Sequence, residues 1–130
     1  MAQQFENLVD LCEKSCKKFK DRELFGTKTD GAWKWNTYGE FEQLVSDFRG
    51  GLASLGVGAG DKVGLYLYNC NEYLEGMLAC FKVRAVPVNV NFRYVDEELS
   101  YVLNNAEMAG CIHHREFVPH LAAVRAGSPQ

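Results

Sequence analysis

Apolar residues recur at steps of three and four along most of this chain, interrupted by short stretches where they alternate with polar ones. Leu8, Val9, Leu11, Cys12, Cys16 and Phe19 keep helical spacing, which predicts an amphipathic helix from Asn7 to about Lys20. Glu23 to Thr27 and Ala32 to Trp35 are short β-prone runs flanking Thr29-Asp30-Gly31, and Asp-Gly in that setting predicts a hairpin. Trp33 and Trp35 share one face of the second run. A ligand-stacking platform is one reading, and packing against the following helix is the expected one.

Thr37-Tyr38-Gly39-Glu40 has the form of a capping box, in which hydroxyl and carboxylate each satisfy a backbone amide of the first turn. Phe41, Leu44, Val45, Phe48, Leu52 and Leu55 then form one apolar stripe, and Gly56 supplies a left-handed stop with Val57 folding back. Gly56, Gly58 and Gly60 invite comparison with a phosphate-binding loop. Such a loop follows a strand and opens a helix, whereas here the helix comes first, so the glycines read as turn residues. Val63, Leu65 and Leu67 alternate with Gly64, Tyr66 and Tyr68, predicting a buried strand from Lys62 to Tyr68.

Asn69-Cys70-Asn71 lies at the carboxyl end of that strand, and one of the two asparagines is expected to cap the next helix. That helix runs to about Lys82 with Leu74, Met77, Leu78 and Phe81 inward. Ala85 to Val90 reads as a short strand in which Pro87 takes an early or edge position. Asn91 to Tyr94 is a loop, and Asp96, Glu97 and Glu98 open a helix carrying Leu99, Val102 and Leu103. Gly110 to His114 predicts a third strand, and Pro119 opens a last helix through Ala126. The order is that of an α/β fold: a partial doubly wound, mostly parallel sheet flanked by helices, preceded by a helix and a β-hairpin.

At 130 residues the chain is long enough for one core and too short for two domains. A net charge of −3 argues against a nucleic-acid partner. The basic cluster Lys14, Lys17, Lys18, Lys20 and Arg22 reads as a solvated helix face, with an anionic partner or membrane surface as the alternative. Five cysteines without framework spacing, and no signal-like or membrane-spanning stretch, point to a reducing cytoplasm with peripheral membrane contact left open. Cys12 and Cys16 share a helix face but have no second ligand pair. His113 and His114 are neighbours along a strand and point to opposite faces, so they read as half-buried strand-end residues rather than a ligand pair. No nucleophile elbow, Walker loop or pair of catalytic carboxylates is present.

Several motifs together carry a family resemblance. Tyr38-Gly39-Glu40-Phe41, Gly56-Val57 with Gly60-Asp61 and Val63, Asn69 with Glu72, and Ala85-Val86-Pro87-Val88-Asn89 resemble the opening of the AMP-forming acyl-CoA synthetases. The run Lys82 to Val95 resembles the branch acting on fatty acyl or steroid side-chain acids, with Arg84 where most other branches carry glycine. The resemblance implies that residues 1–130 are an incomplete N-terminal portion of the large domain. It also implies a full-length reaction that joins a carboxylic acid to CoA with ATP and Mg, releasing AMP and pyrophosphate. The relatives' ATP-binding and catalytic segments lie after the part represented here, so it implies no catalytic, cofactor-binding or metal residue in this chain and no activity alone. Asn69, Asn91, Arg93 and Arg115 are the candidate ligand contacts, because they sit at strand ends or in loops. A stand-alone module that binds a synthetase or an acyl ligand is the alternative. A parallel sheet cut short exposes its edges, so self-association is also expected.

Overall fold

The computed structural model describes residues 4–127. Helix α1 (Leu8–Lys18) starts where the Asn7 side chain accepts the Asp10 amide at 2.9 Å. It ends two residues earlier than its periodicity predicts. Only Cys16 is buried, with Val9, Cys12 and Phe19 half-buried, while Leu8 and Leu11 stay exposed. The buried stripe is thus narrower than the apolar pattern. An ion pair between Lys82 and Glu13, at 3.2 Å, ties this helix to α3 (Asn71–Lys82).

Strands β1 (Glu23–Thr29) and β2 (Ala32–Thr37) form the expected antiparallel hairpin. Asp30 (φ 52°) and Gly31 (φ 80°) both take positive φ, as a two-residue type I′ turn requires. An irregularity between Glu23 and Phe25 helps direct Leu24 and Phe25 toward the core. Phe25 meets Phe41 edge-on, with ring centroids 5.2 Å apart. Trp33 and Trp35 do not pack against the following helix. Phe25 already takes the helix-facing side, and the tryptophans stack on each other at 6.0 Å on the opposite, solvent-facing side.

Helix α2 (Tyr38–Ser54) has both halves of the capping box: Glu40 N–H donates to Thr37 Oγ1 at 3.2 Å, and Thr37 N–H donates to Glu40 Oε2 at 2.8 Å. At its other end Gly56 N–H donates to the Ala53 carbonyl and Val57 N–H to the Leu52 carbonyl, with Gly56 at φ 85°. This is the Schellman pattern, and Val57 folds back onto the core. Phe41, Val45 and Leu52 are buried, but Leu44 and Leu55 lie on the flank of the stripe and are exposed.

The remaining elements are β3 (Lys62–Tyr66), α3, β4 (Val86–Asn89), α4 (Asp96–Asn105) and β5 (Met108–His113). A 3₁₀ turn (Arg115–Phe117) and α5 (Val118–Ala126) follow. The three strands are all parallel in the order β4-β3-β5, so the chain switches sides of β3 between β4 and β5. Pro87 therefore sits on an edge strand, where its missing donor does least harm. Val63 belongs to a core with residues of α1, α2 and α3, and Tyr66 to a second core with residues of α4 and α5. Helices on both faces of a mostly parallel sheet make this a doubly wound α/β fold.

Two local expectations fail around α3. Neither asparagine caps it: the N-cap is Cys70, whose side chain accepts no capping hydrogen bond, and Asn71 is already helical. Its buried face is Glu75, Gly76, Ala79 and Cys80, while Leu74 is exposed and Met77, Leu78 and Phe81 lie half-buried alongside. Small side chains let the helix approach closely. A Cβ on Gly76 would stand 3.1 Å from Ile112 Cδ1 of β5 and 3.5 Å from Leu65 Cδ2 of β3.

Candidate functional site at the carboxyl ends of the strands

In an open α/β sheet the crevice outside the carboxyl ends of the strands, at the point where strand order switches, is where ligands bind. Three loops meet there. After β3 the chain keeps Leu67 buried and then exposes Tyr68 and Asn69. After β4, Asn91 Oδ1 accepts the Arg93 amide at 3.0 Å and the Asn91 carbonyl accepts the Tyr94 amide at 2.9 Å. After β5, His114 Nδ1 accepts the Glu116 amide at 3.2 Å and so caps the 3₁₀ turn.

Aromatic rings hold these loops together. The Tyr68 ring lies 4.9 Å from Phe117, 5.2 Å from Phe92 and 5.2 Å from His114, and Tyr66 stacks on Phe117 at 4.3 Å. Beneath them the Tyr66 hydroxyl donates to the Tyr94 carbonyl at 2.6 Å. The Tyr68 hydroxyl donates to Glu116 Oε2 at 3.2 Å. Partial loss of water around the ring, then the Glu116 hydrogen bond and charge, push the Tyr68 phenol above its ordinary value, so it remains a donor at neutral pH. Tyr68 escaped the sequence reading because the alternation continued through it. The strand in fact ends at Tyr66, and the only signal was an aromatic residue next to the Asn69 loop.

All four candidate contacts, Asn69, Asn91, Arg93 and Arg115, are exposed on these loops, one on the first, two on the second and one on the third. Asn91 also shapes its own loop, and the Arg93 guanidinium lies 5.6 Å from the Phe92 ring centroid. The rim therefore offers rings for stacking, two guanidiniums and a phenol–carboxylate pair, which is binding chemistry. His113 is exposed rather than half-buried, and its Nδ1 donates to the His114 carbonyl at 3.0 Å, while half-buried His114 turns into the aromatic cluster. The two imidazoles are thus committed to separate local roles.

The glycine run lies at the other end of β3, and its amides are taken by protein acceptors within the turn and in the connection after α3. Gly58 N–H donates to the Asp61 carboxylate at 2.8 Å, and Gly60 N–H donates to the Arg84 carbonyl at 3.0 Å. No cradle for a nucleotide phosphate is formed there. Among the described residues no three of His, Cys, Asp or Glu converge as a metal site, and no helix is long and apolar enough to cross a membrane.

Residues 12–129 match the family described as AMP-binding enzyme. The chain belongs to the AMP-binding enzyme family. It is 37% identical over 123 residues to the 3-oxocholest-4-en-26-oate–CoA ligase of Rhodococcus rhodochrous, a match covering 95% of this chain and 21% of the relative. It is also 37% identical over 123 residues to a medium/long-chain-fatty-acid–CoA/3-oxocholest-4-en-26-oate–CoA ligase of Mycolicibacterium smegmatis, covering 95% and 22%. The chain thus spans about a fifth of the length of these curated relatives. In fold it is similar to the N-terminal domain of FACL13 from Mycobacterium tuberculosis, with TM-score 0.85 and 21% identity over 97% of this chain and 31% of that one. A fatty acyl CoA synthetase of the same organism gives TM-score 0.83 and 22% identity over 92% and 24%.

Proposed function

We propose that this chain is the opening segment of the large domain of an AMP-forming acyl-CoA ligase that acts on fatty or steroid side-chain carboxylic acids in the cytoplasm. In the full-length protein ATP and Mg would activate the acid as acyl-adenylate, and CoA would displace AMP. The observation that carries this reading is the relatedness along nearly the whole chain to ligases named for those acids. The segment's own contribution is architectural and, at the rim, contact-making. Tyr68, Phe92 and His114 offer an aromatic wall, and Arg93 and Arg115 are cations suited to a carboxylate or phosphate. Asn69 and Asn91 supply amide groups to the same rim. The five free cysteines suit a reducing compartment.

The described residues form neither a phosphate loop nor a cluster of metal ligands, so the chain is expected to be inactive by itself. ATP–pyrophosphate exchange with medium- and long-chain fatty acids tests this directly. The isolated chain should give no exchange, and a full-length ligase carrying this segment should. In that ligase, Arg93→Ala or Arg115→Ala should raise the KM for acid or CoA several-fold while changing kcat less, because a rim cation binds without touching the reacting bond. Exchange catalysed by the isolated chain would overturn the proposal.

A further inference from the structure

The outer face of the β1–β2 hairpin plays no part in the proposed reaction. Trp33 is 61% exposed and Trp35 50%, and their rings stack with planes 27° apart. Trp35 also lies over Gly26, where a Cβ would stand 2.9 Å from the indole, so the strand opposite has no side chain to lift that ring away. Lys28 pairs directly across from Trp33 and therefore shares its face. The other side of the hairpin is already committed to the core through Phe25 and Phe41.

The charge of the chain segment that carries this face differs from that of the rest of the sequence, although Lys34 lies on the opposite face of the hairpin and Lys14 pairs with Asp10. Residues 14–37 hold seven of the fourteen Lys and Arg but three of the seventeen Asp and Glu, a net +4 against −7 for the remainder of the chain. The acidic residues in that span are Asp21, Glu23 and Asp30. Lys20 and Arg22 stand at the root of the hairpin, where their carbonyls accept the amides of Gly39 and Tyr38 at 2.9 and 3.0 Å. Lys17 and Lys18 lie just before them in the last turn of α1.

From an exposed tryptophan pair beside a lysine, on the cationic part of an otherwise acidic chain, we infer that the hairpin docks on the surface of an anionic lipid bilayer. Indole rings settle at the boundary of headgroups and acyl chains, and lysines nearby are drawn to anionic headgroups. Trp33 and Trp35 would enter the interface while Lys28 and the cations at the hairpin root stay at headgroup level.

Trp33 and Trp35 are the only tryptophans in the chain, so its intrinsic emission reports on this face alone. The chain is titrated with vesicles of phosphatidylcholine containing about a third phosphatidylserine, and with pure phosphatidylcholine vesicles, followed by emission wavelength and co-sedimentation. The anionic vesicles should shift the emission to the blue and carry the protein down, and the zwitterionic vesicles should do so at least tenfold more weakly. Trp33→Ala/Trp35→Ala should lower partitioning at least tenfold by co-sedimentation with the far-UV spectrum unchanged. Lys28→Glu keeps both rings and should weaken binding up to about thirtyfold, as a change of two charge units near the surface predicts. No shift and no co-sedimentation at low salt would overturn the inference. So would equal binding to both vesicle types, or binding undiminished in the tryptophan variant.

Discussion

Glu75 is the only charged side chain among the described residues that the fold buries, at 6% exposure on the inner face of α3. Burial, and then the nearby Glu72 charge, raise its pKa above the ordinary value. The folded state therefore holds this proton to higher pH than the unfolded chain does. Its carboxylate costs stability as pH rises above the unfolded value, and the cost is complete once pH passes the folded value. Glu75→Gln should raise the melting temperature at pH 7. That advantage should shrink as pH falls through the folded pKa, and a pair of melts at pH 7 and pH 4 would show it. An equal difference at both pH values would contradict this account. The cysteines are quiet by the same physics: burial pushes Cys16 to about 12 and Cys80 and Cys111 to about 11, so all three stay protonated thiols near neutrality.

Helix ends make the clearest case at the scale of elements. The C-terminus of α3 repeats the pattern found after α2: Arg84 N–H donates to the Phe81 carbonyl and Ala85 N–H to the Cys80 carbonyl. Here, however, the left-handed position is held by Arg84 at φ 64°, a conformation that costs an L-residue about 1–2 kcal/mol. This is the position where the family resemblance expects glycine in most branches, and the backbone explains why. Arg84→Gly should stabilise the chain by up to about 1 kcal/mol after the added unfolded-state freedom of glycine is subtracted, as read from urea midpoints. Caps of this kind were legible in the sequence, because Thr37, Glu40 and Gly56 act through neighbours three to five residues away. The facing of the hairpin was not, since strand alternation defines two faces without saying which one meets α2. The face of α3 was missed for a different reason. Apolarity scales favour Leu74 and Phe81, whereas close packing against the sheet selected Gly76, Ala79 and Cys80.

The parallel three-stranded sheet at the centre of the molecule has two unequal edges among the described residues. The β4 edge carries Pro87, while β5 runs Met108 to His113 without proline or charged carboxylate, lysine or arginine. Apolar grooves of about 450 Å³ and 410 Å³ flank β5, the first lined by Phe48, Leu52 and Leu55 and the second by Leu103, Leu121 and Val124. An unguarded edge between two apolar grooves invites strand pairing. Sedimentation velocity should show association increasing with concentration, reduced by Ala109→Lys, and a single monomeric species over a hundredfold range would refute this. The doubly wound order and the position of the rim could be read from the sequence. Tyr68 as its centre could not, because its partners Phe92, His114 and Phe117 come from segments brought together only by the fold. The central strand, finally, carries an implication for time as well as space. Strand β3 bonds to both neighbours and sends Val63 into one core and Tyr66 into the other. Both cores share that strand, so its amides should exchange with solvent more slowly than those of the β1–β2 hairpin, an expectation that native-state hydrogen exchange checks.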